Sequence, residues 1–179
     1  SEILITAGAT EAIASAILAL AGPGDEVLTL EPFYDSYAAG IAMAGATHVT
    51  VPLVPGADGF RLDVEALAER VTERTRLILV NTPHNPTGTV LTRAELERVA
   101  EAIVITDEVY EHLTFDGQVH TPLATLPGMA ERTLTISSAG KTFSLTGWKV
   151  GWLCGPAALV EAVLAVKQYL TYSGGAPFQ

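Results

Sequence analysis

Thr133-Leu-Thr-Ile-Ser137-Ser138-Ala139-Gly140-Lys141-Thr-Phe-Ser-Leu-Thr-Gly147-Trp-Lys149-Val-Gly151 is the stretch on which the fold turns. A strand-length apolar run ends in two serines, releases a lysine among small residues and meets a second cation at Lys149. Thr133 to Ser137 reads as a strand, and Gly140 and Gly147 let backbone and a ligand approach without a Cβ between them. Lys141 is therefore placed by its strand and not simply solvated on a surface.

Outward from this segment, six further runs of strand length occur: Ile3 to Ala7, Val27 to Leu30, His48 to Val51, Leu77 to Asn81, Ala102 to Asp107 and Val150 to Cys154. Helical patterns fit between them at Glu11 to Leu20, Tyr34 to Ala44, Val64 to Val71 and Thr92 to Glu101, and after them at Ala157 to Tyr169. This alternation predicts an α/β fold, three layers α/β/α around a mostly parallel seven-stranded sheet. Gly22-Pro-Gly-Asp25, Gly45, Pro55-Gly56 and Gly155-Pro156 fall where elements stop. Pro55 to Phe60 reads as a loop, with Asp63 capping the helix that follows.

The helix ending near Glu101 abuts the strand starting at Ala102, whereas αβ connections usually take about 2 to 6 residues. Either the helix unwinds early or a loop is left out between Glu101 and Ala102. Ser1 leads almost directly into a strand and Gln179 follows a Gly-Gly-Ala-Pro turn, so the 179 residues read as a fragment of a longer chain.

The mean hydropathy of +0.34 is high for a soluble domain and implies apolar surface meant for another part of the polypeptide or for a partner subunit. Twenty acidic against ten basic residues, with no basic run or stripe, argue against a nucleic-acid partner. Cys154, the only cysteine, lies in an apolar strand and suits a reducing cytosol. No stretch reaches the roughly 18 apolar residues of a bilayer span, and the N-terminus lacks a signal-peptide pattern. The protein is expected to be soluble and cytoplasmic.

In open α/β sheets ligands gather at the carboxyl ends of the parallel strands, and the polar residues of this chain cluster at its predicted strand ends. Gly8-Ala9-Thr10 opens a helix where free amides favour a phosphate, or Thr10 is a plain N-cap. Glu31-Pro-Phe33-Tyr34-Asp35 puts an aromatic ring above the sheet edge, either stacked on a flat heterocycle or packed in the core. Asn81-Thr-Pro-His-Asn85-Pro86-Thr-Gly88 holds Asn85 extended before a proline, as a donor to a ligand or as an ordinary turn.

Asp107 ends the very apolar run Ile103-Val-Ile-Thr-Asp107-Glu-Val-Tyr110, where an unpaired charge is costly. It calls for a cationic partner; a protonated pyridine nitrogen would serve, with Tyr110 reaching the phenolate oxygen of the same ring. The competing reading is a structural aspartate capping a turn. Ser138, Lys141 and Lys149 follow at the next strand ends, and an ammonium desolvated near other cations becomes nucleophilic toward a carbonyl carbon. A phosphate, a planar ring, a phenolate oxygen, a ring nitrogen and an aldehyde carbon thus each have a matching group, which together describe pyridoxal 5′-phosphate. A nucleotide P-loop fails on spacing, because Gly140-Lys141-Thr142 lacks the earlier glycine.

With these residues in hand, the chain resembles the class I/II, fold-type I aminotransferases from Ile3 to Phe178. The resemblance implies that Lys141 carries the cofactor as an imine and that Asp107 faces the pyridine nitrogen. Asn85 and Tyr110 then bind the ring hydroxyl, and Tyr34 stacks on the ring. Ser138, Lys149 and the backbone of Gly8, Ala9 and Thr10 bind the phosphate.

Many family members have arginine where this chain has Lys149, and Gly-Trp-Lys-Val-Gly is similar to the kynurenine and glutamine transaminases. Among bacterial members, Glu31-Pro-Phe-Tyr-Asp-Ser-Tyr and Lys167-Gln-Tyr-Leu-Thr-Tyr-Ser-Gly-Gly-Ala-Pro-Phe-Gln179 resemble N-succinyldiaminopimelate aminotransferases of lysine biosynthesis. Asn85 to Asp107 is about half a dozen residues shorter than the family spacing, which favours a left-out loop at the helix–strand join. The family's N-terminal arm and C-terminal small domain, with its carboxylate-gripping arginine, are missing.

The resemblance further implies transfer of an amino group from an amino acid to a 2-oxo acid such as 2-oxoglutarate, in a homodimer without metal, nucleic acid or membrane. Two other readings compete: a pyridoxal-phosphate lyase acting on sulfur-containing amino acids, and an aminotransferase-like regulatory binding module.

Overall fold

The computed structural model describes residues 1–57, 59–99 and 102–174. Eight strands form one sheet: β1 (Ile3–Thr6), β2 (Glu26–Glu31), β3 (Thr47–Gly56), β4 (Gly59–Leu62), β5 (Thr75–Asn81), β6 (Ile103–Asp107), β7 (Thr133–Ser138) and β8 (Gly151–Cys154), in the order β1-β8-β7-β6-β5-β2-β3-β4. Strands β7, β6, β5, β2 and β3 are mutually parallel. Strand β8 is antiparallel to both β7 and β1, so β1 points the same way as the parallel set.

That reversal positions the site. The start of β8 lies at the sheet edge where β1 and β7 end, with Gly151 opposite both Thr6 and Ser138. An added Cβ at Gly151 would stand 2.4 Å from the carbonyl carbon of Gly8 and 2.7 Å from the amide nitrogen of Ala9. A side chain at this position would push the loop after β1 off the sheet.

Alternation along the strands sorts side chains into two cores. One face carries Leu77, Leu79, Ile105, Leu134 and Ile136 against α1 (Gly8–Leu20), α2 (Asp35–Ala44) and α6 (Ala157–Leu170). The other carries Ile78, Val80 and Val104 against Leu67 of α3 (Val64–Arg70), Leu96 of α4 (Arg93–Leu96) and the turn at Leu123 to Thr125. Burial of these faces is the main stabilising contribution, roughly 1.5–3 kcal/mol per large apolar side chain. The result is the expected three-layer α/β/α domain.

Helix boundaries follow from their caps. Asp63 accepts from the Ala66 amide at 3.1 Å, as expected of a cap. Gly45 ends α2 in the left-handed region at φ 73°, with the Gly45 and Ala46 amides donating to Ala42 and Ile41.

Two expectations are corrected. The loop expected over Pro55 to Phe60 gives way to strand at both its ends: β3 runs on to Gly56 and pairs with β4 from Gly59, with Leu53 opposite Leu62 and Pro55 opposite Phe60, while Asp58 lies outside the described residues. The hairpin escapes a periodicity reading because only Leu62 of β4 is buried. The sheet accordingly has eight strands where seven were expected. Helix α4 covers Arg93–Leu96 and not Thr92 to Glu101; Thr92 and Glu95 form its capping box, and the Arg98 and Val99 amides bond three residues back, so the last turn tightens out of the α-helix. The expected join at Glu101 and Ala102 touches residues outside the described ones.

Apolar surface is left open, as the hydropathy implied. Phe115, Phe143, Tyr169 and Tyr172 all stand exposed, Tyr169 by 85%. Among the described residues no helix is long and apolar enough to cross a membrane.

Candidate active site

A cavity of about 640 Å³ opens at the carboxyl edge of the sheet, within the usual size range of small-molecule sites. All ten residues singled out from the sequence line it: Gly8, Ala9, Thr10, Tyr34, Asn85, Asp107, Tyr110, Ser138, Lys141 and Lys149. They arrive from five separate strand ends.

At one end stands Asp107, the last residue of β6 and only 5% exposed. No lysine, arginine or histidine among the described residues pairs with it. Its Oδ2 accepts from the phenol of Tyr37 at 2.6 Å, while Oδ1 has a long contact of 3.4 Å from the Val109 amide. Burial pushes the Asp107 carboxyl above its ordinary range, the Tyr37 and Val109 hydrogen bonds pull it back down, and the nearby Glu108 charge adds to the rise. A buried acid with spare acceptor capacity and no protein counter-ion suits a cationic ligand atom.

Asn81 sits opposite Asp107 in the β5–β6 register and is buried. Its Nδ2 donates to the Asp107 carbonyl at 2.8 Å, and its Oδ1 accepts from the Asn85 amide at 2.7 Å. Asn81 therefore ties Asn85 to the strand end that carries the acid. Tyr34 caps α2 at the cavity wall, its ring 5.7 Å from that of Tyr37 and nearly perpendicular to it. Phe33, its neighbour, turns to the core and packs edge-on against His48 at 4.8 Å. Of the two aromatics, Phe33 packs in the core and Tyr34 lines the cavity.

The opposite end is built from main chain and cations. Helix α1 begins at Gly8, three residues before its expected start, and Ala7, not Thr10, is its N-cap. No side chain caps the amides that follow; Glu11 accepts from the Ala7 amide at 2.6 Å and from the Thr171 hydroxyl at 2.5 Å, not from the first-turn amides. First-turn amides have no acceptor inside a helix, so those of Gly8, Ala9 and Thr10 remain free for an anion. Ser138, at the end of β7, is buried beside them.

Lys149 follows a 3-10 turn at Thr146–Trp148 and adopts a left-handed backbone with φ 53°, a conformation that costs a non-glycine residue roughly 1–2 kcal/mol. The Cδ of its stem would lie 3.9 Å from a Cβ built on Gly8, so cation and helix start are neighbours.

Lys141 belongs to the short helix α5 (Ala139–Thr142), and its Nζ lies 5.6 Å from the centre of the Tyr110 ring. The residue is exposed, so the described residues do not supply the desolvation expected of it. Of the two glycines beside it, Gly140 is tight, with Thr146 Cα 3.3 Å from a built Cβ, whereas Gly147 meets nothing within 4 Å.

Tyr37 and Asn81 were not singled out from the sequence. Tyr37 lies three residues after Tyr34 on the same helix, which was a usable signal. Asn81 is a polar residue closing an otherwise apolar run. Among the described residues no group of His, Cys, Asp or Glu is placed to hold a metal ion.

An amine, an acid awaiting a cation, an aromatic face and an anion-accepting helix start around one cavity can hold a flat, phosphorylated, nitrogen-containing ring. Residues 1–178 match the family described as aminotransferase class I and II.

The chain is 62% identical over 185 residues to the probable N-succinyldiaminopimelate aminotransferase DapC of Mycobacterium tuberculosis, an alignment covering 100% of this chain and 47% of that protein. It is 42% identical over 200 residues to the kynurenine–oxoglutarate transaminase of Dictyostelium discoideum, covering 100% of this chain and 46% of the relative. The solved structure of the M. tuberculosis N-succinyldiaminopimelate aminotransferase superposes with a TM-score of 0.97, covering 99% of this chain and 48% of that one. The chain thus spans about half the length of the relatives it matches, and it belongs to the class I and II aminotransferases.

Proposed function

We propose that this chain is the cofactor-bearing large domain of a pyridoxal 5′-phosphate-dependent aminotransferase that moves an amino group from N-succinyldiaminopimelate to 2-oxoglutarate. The observation that carries the reading is the placement of Lys141 and the buried, cation-free Asp107 on one cavity, with the α1 start beside Lys149 in the same cavity. Bound pyridoxal phosphate would supply an aldehyde carbon for amines and a ring that accepts electrons from the substrate's Cα.

In this reading, the Lys141 amine would hold that aldehyde carbon and would serve as the base that takes a proton from the substrate Cα and gives it back. Asp107 keeps a proton on the ring nitrogen. Asn85 and Tyr110 bind the ring hydroxyl, and Tyr34 covers one face. The Gly8, Ala9 and Thr10 amides, Ser138 and Lys149 hold the phosphate.

The donor assignment rests on the 62% identity to the mycobacterial relative. Kynurenine or glutamine is the second reading, favoured by Lys149 within Gly-Trp-Lys-Val-Gly and by the transaminase at 42% identity. A homodimer fits the exposed Phe143, two residues from Lys141, and Phe115. A cytoplasmic setting fits the lone half-buried Cys154.

Borohydride reduction of the intact protein with pyridoxal phosphate, followed by peptide mass analysis, should fix the cofactor mass on Lys141. Lys141→Ala should abolish the adduct. A screen of amino donors with 2-oxoglutarate should then rank N-succinyldiaminopimelate above kynurenine, glutamine and methionine. Label on another lysine would sink the site, and ammonia with pyruvate released from cysteine conjugates faster than amino transfer would replace the transferase by a lyase.

A further inference from the structure

Tyr37 is buried to 2% exposure in the first turn of α2, yet its hydroxyl reaches 70 residues along the chain to Asp107 Oδ2 at 2.6 Å. That length belongs to a hydrogen bond onto a charged acceptor. The same ring stands edge-on to Tyr34, and the Tyr37 amide donates to the Tyr34 carbonyl at 3.0 Å. One side chain therefore contacts both the acid and the aromatic wall of the cavity.

A lysine, arginine or histidine beside Asp107 would stabilise its charge but would also compete with a cationic ligand atom for it. A phenol stabilises and orients the carboxylate without bringing a positive charge. Burial first, and the Asp107 charge second, push the Tyr37 hydroxyl well above its usual range, so it remains a donor throughout. With Oδ2 committed to Tyr37, Oδ1 carries only the long Val109 contact and is the oxygen left for a ligand.

Resting on the cofactor reading above, we propose that Tyr37 is a positioning residue of the site, fixing Asp107 as a charged, single-oxygen acceptor for the protonated ring nitrogen of pyridoxal phosphate. The test uses the intact protein as wild type, Tyr37→Phe, Asp107→Asn and the double variant. The readouts are pyridoxal phosphate affinity, the pH midpoint of the bound cofactor's absorbance, and turnover.

Tyr37→Phe should retain the borohydride-reducible link at Lys141, shift the pH midpoint, and lose roughly ten- to hundredfold in turnover. In the Asp107→Asn background the same substitution should cost little, because its effect passes through the acid. Should Tyr37→Phe not fold, 3-fluorotyrosine at position 37, whose phenol is a stronger donor, must move the midpoint.

An unchanged midpoint and turnover in Tyr37→Phe, an equal loss with and without Asp107, or an unmoved midpoint with 3-fluorotyrosine overturns the role of Tyr37. Wild-type protein with no reducible link at all overturns the cofactor reading and this inference with it.

Discussion

At the β5–β6 end of the cavity, Asp107, Asn81 and Tyr37 are buried and tied into one another by hydrogen bonds of 2.6–2.8 Å. At the β7–β8 end, Lys149 is exposed and the amides at the start of α1 have no side-chain cap. The first end is side-chain chemistry held by burial; the second is main-chain geometry held by strand register. Low dielectric strengthens the first and makes any unpaired group there costly. Solvent screens the second, which must act through several weak donors at once. The ring end should therefore govern turnover and the phosphate end retention.

Asp107→Ala offers the largest break. It removes the group placed to stabilise charge at the ring nitrogen, and loss of such a group typically costs about 10²–10³-fold in turnover. The reducible link at Lys141 should survive, because the amine lies elsewhere in the cavity. Single-turnover kinetics on the reconstituted variant check this; a fall no greater than tenfold would erase the distinction between the ends.

Lys149→Ala sharpens the comparison from the other side. Removing one exposed donor among several should weaken pyridoxal phosphate binding roughly tenfold and leave turnover at saturating cofactor within about twofold of wild type. Titration of cofactor-free protein separates the two quantities. A variant that binds normally but turns over slowly would move Lys149 from retention to chemistry.

The sequence made these ends unequally legible. Lys141, Asp107 and Asn85 stand at or just beyond the ends of apolar runs, so periodicity alone puts them at a sheet edge. Apolar run length does not carry strand direction, however. Lys149 shares that edge because β8 runs against β7, which shows in the pairing of Ser138 with Gly151. Gly151 then reads as the site of close approach to Gly8 and Ala9, a tertiary fact with no local signal.

Tyr37 was hidden for the opposite reason. Its position on the buried face of α2 makes it look like core, and only the fold reveals that its hydroxyl meets Asp107. Strand β4 stayed hidden because Gly-Phe-Arg-Leu, Gly59 to Leu62, has a single buried residue and so no alternation to read.

The smallest expected effect concerns the ring end without cofactor. Burial raises the Asp107 carboxyl in the native state, Tyr37 and Val109 oppose the rise, and Glu108 adds to it. Between the ordinary carboxylate range and that raised value, the native protein holds a proton that the unfolded chain has released. Stability from this group is thus full below the ordinary range and is lost as pH rises through the native value.

In cofactor-free protein, Asp107→Asn removes the titration, so the variant should gain on wild type in urea unfolding as pH rises across that window. Pyridoxal phosphate should reverse the trend in wild type alone, since a cationic ring nitrogen favours the charged acid. A difference between the two proteins that stays flat with pH would mean that Tyr37 already offsets the burial of Asp107 in full, leaving the ring end no more strained than the phosphate end.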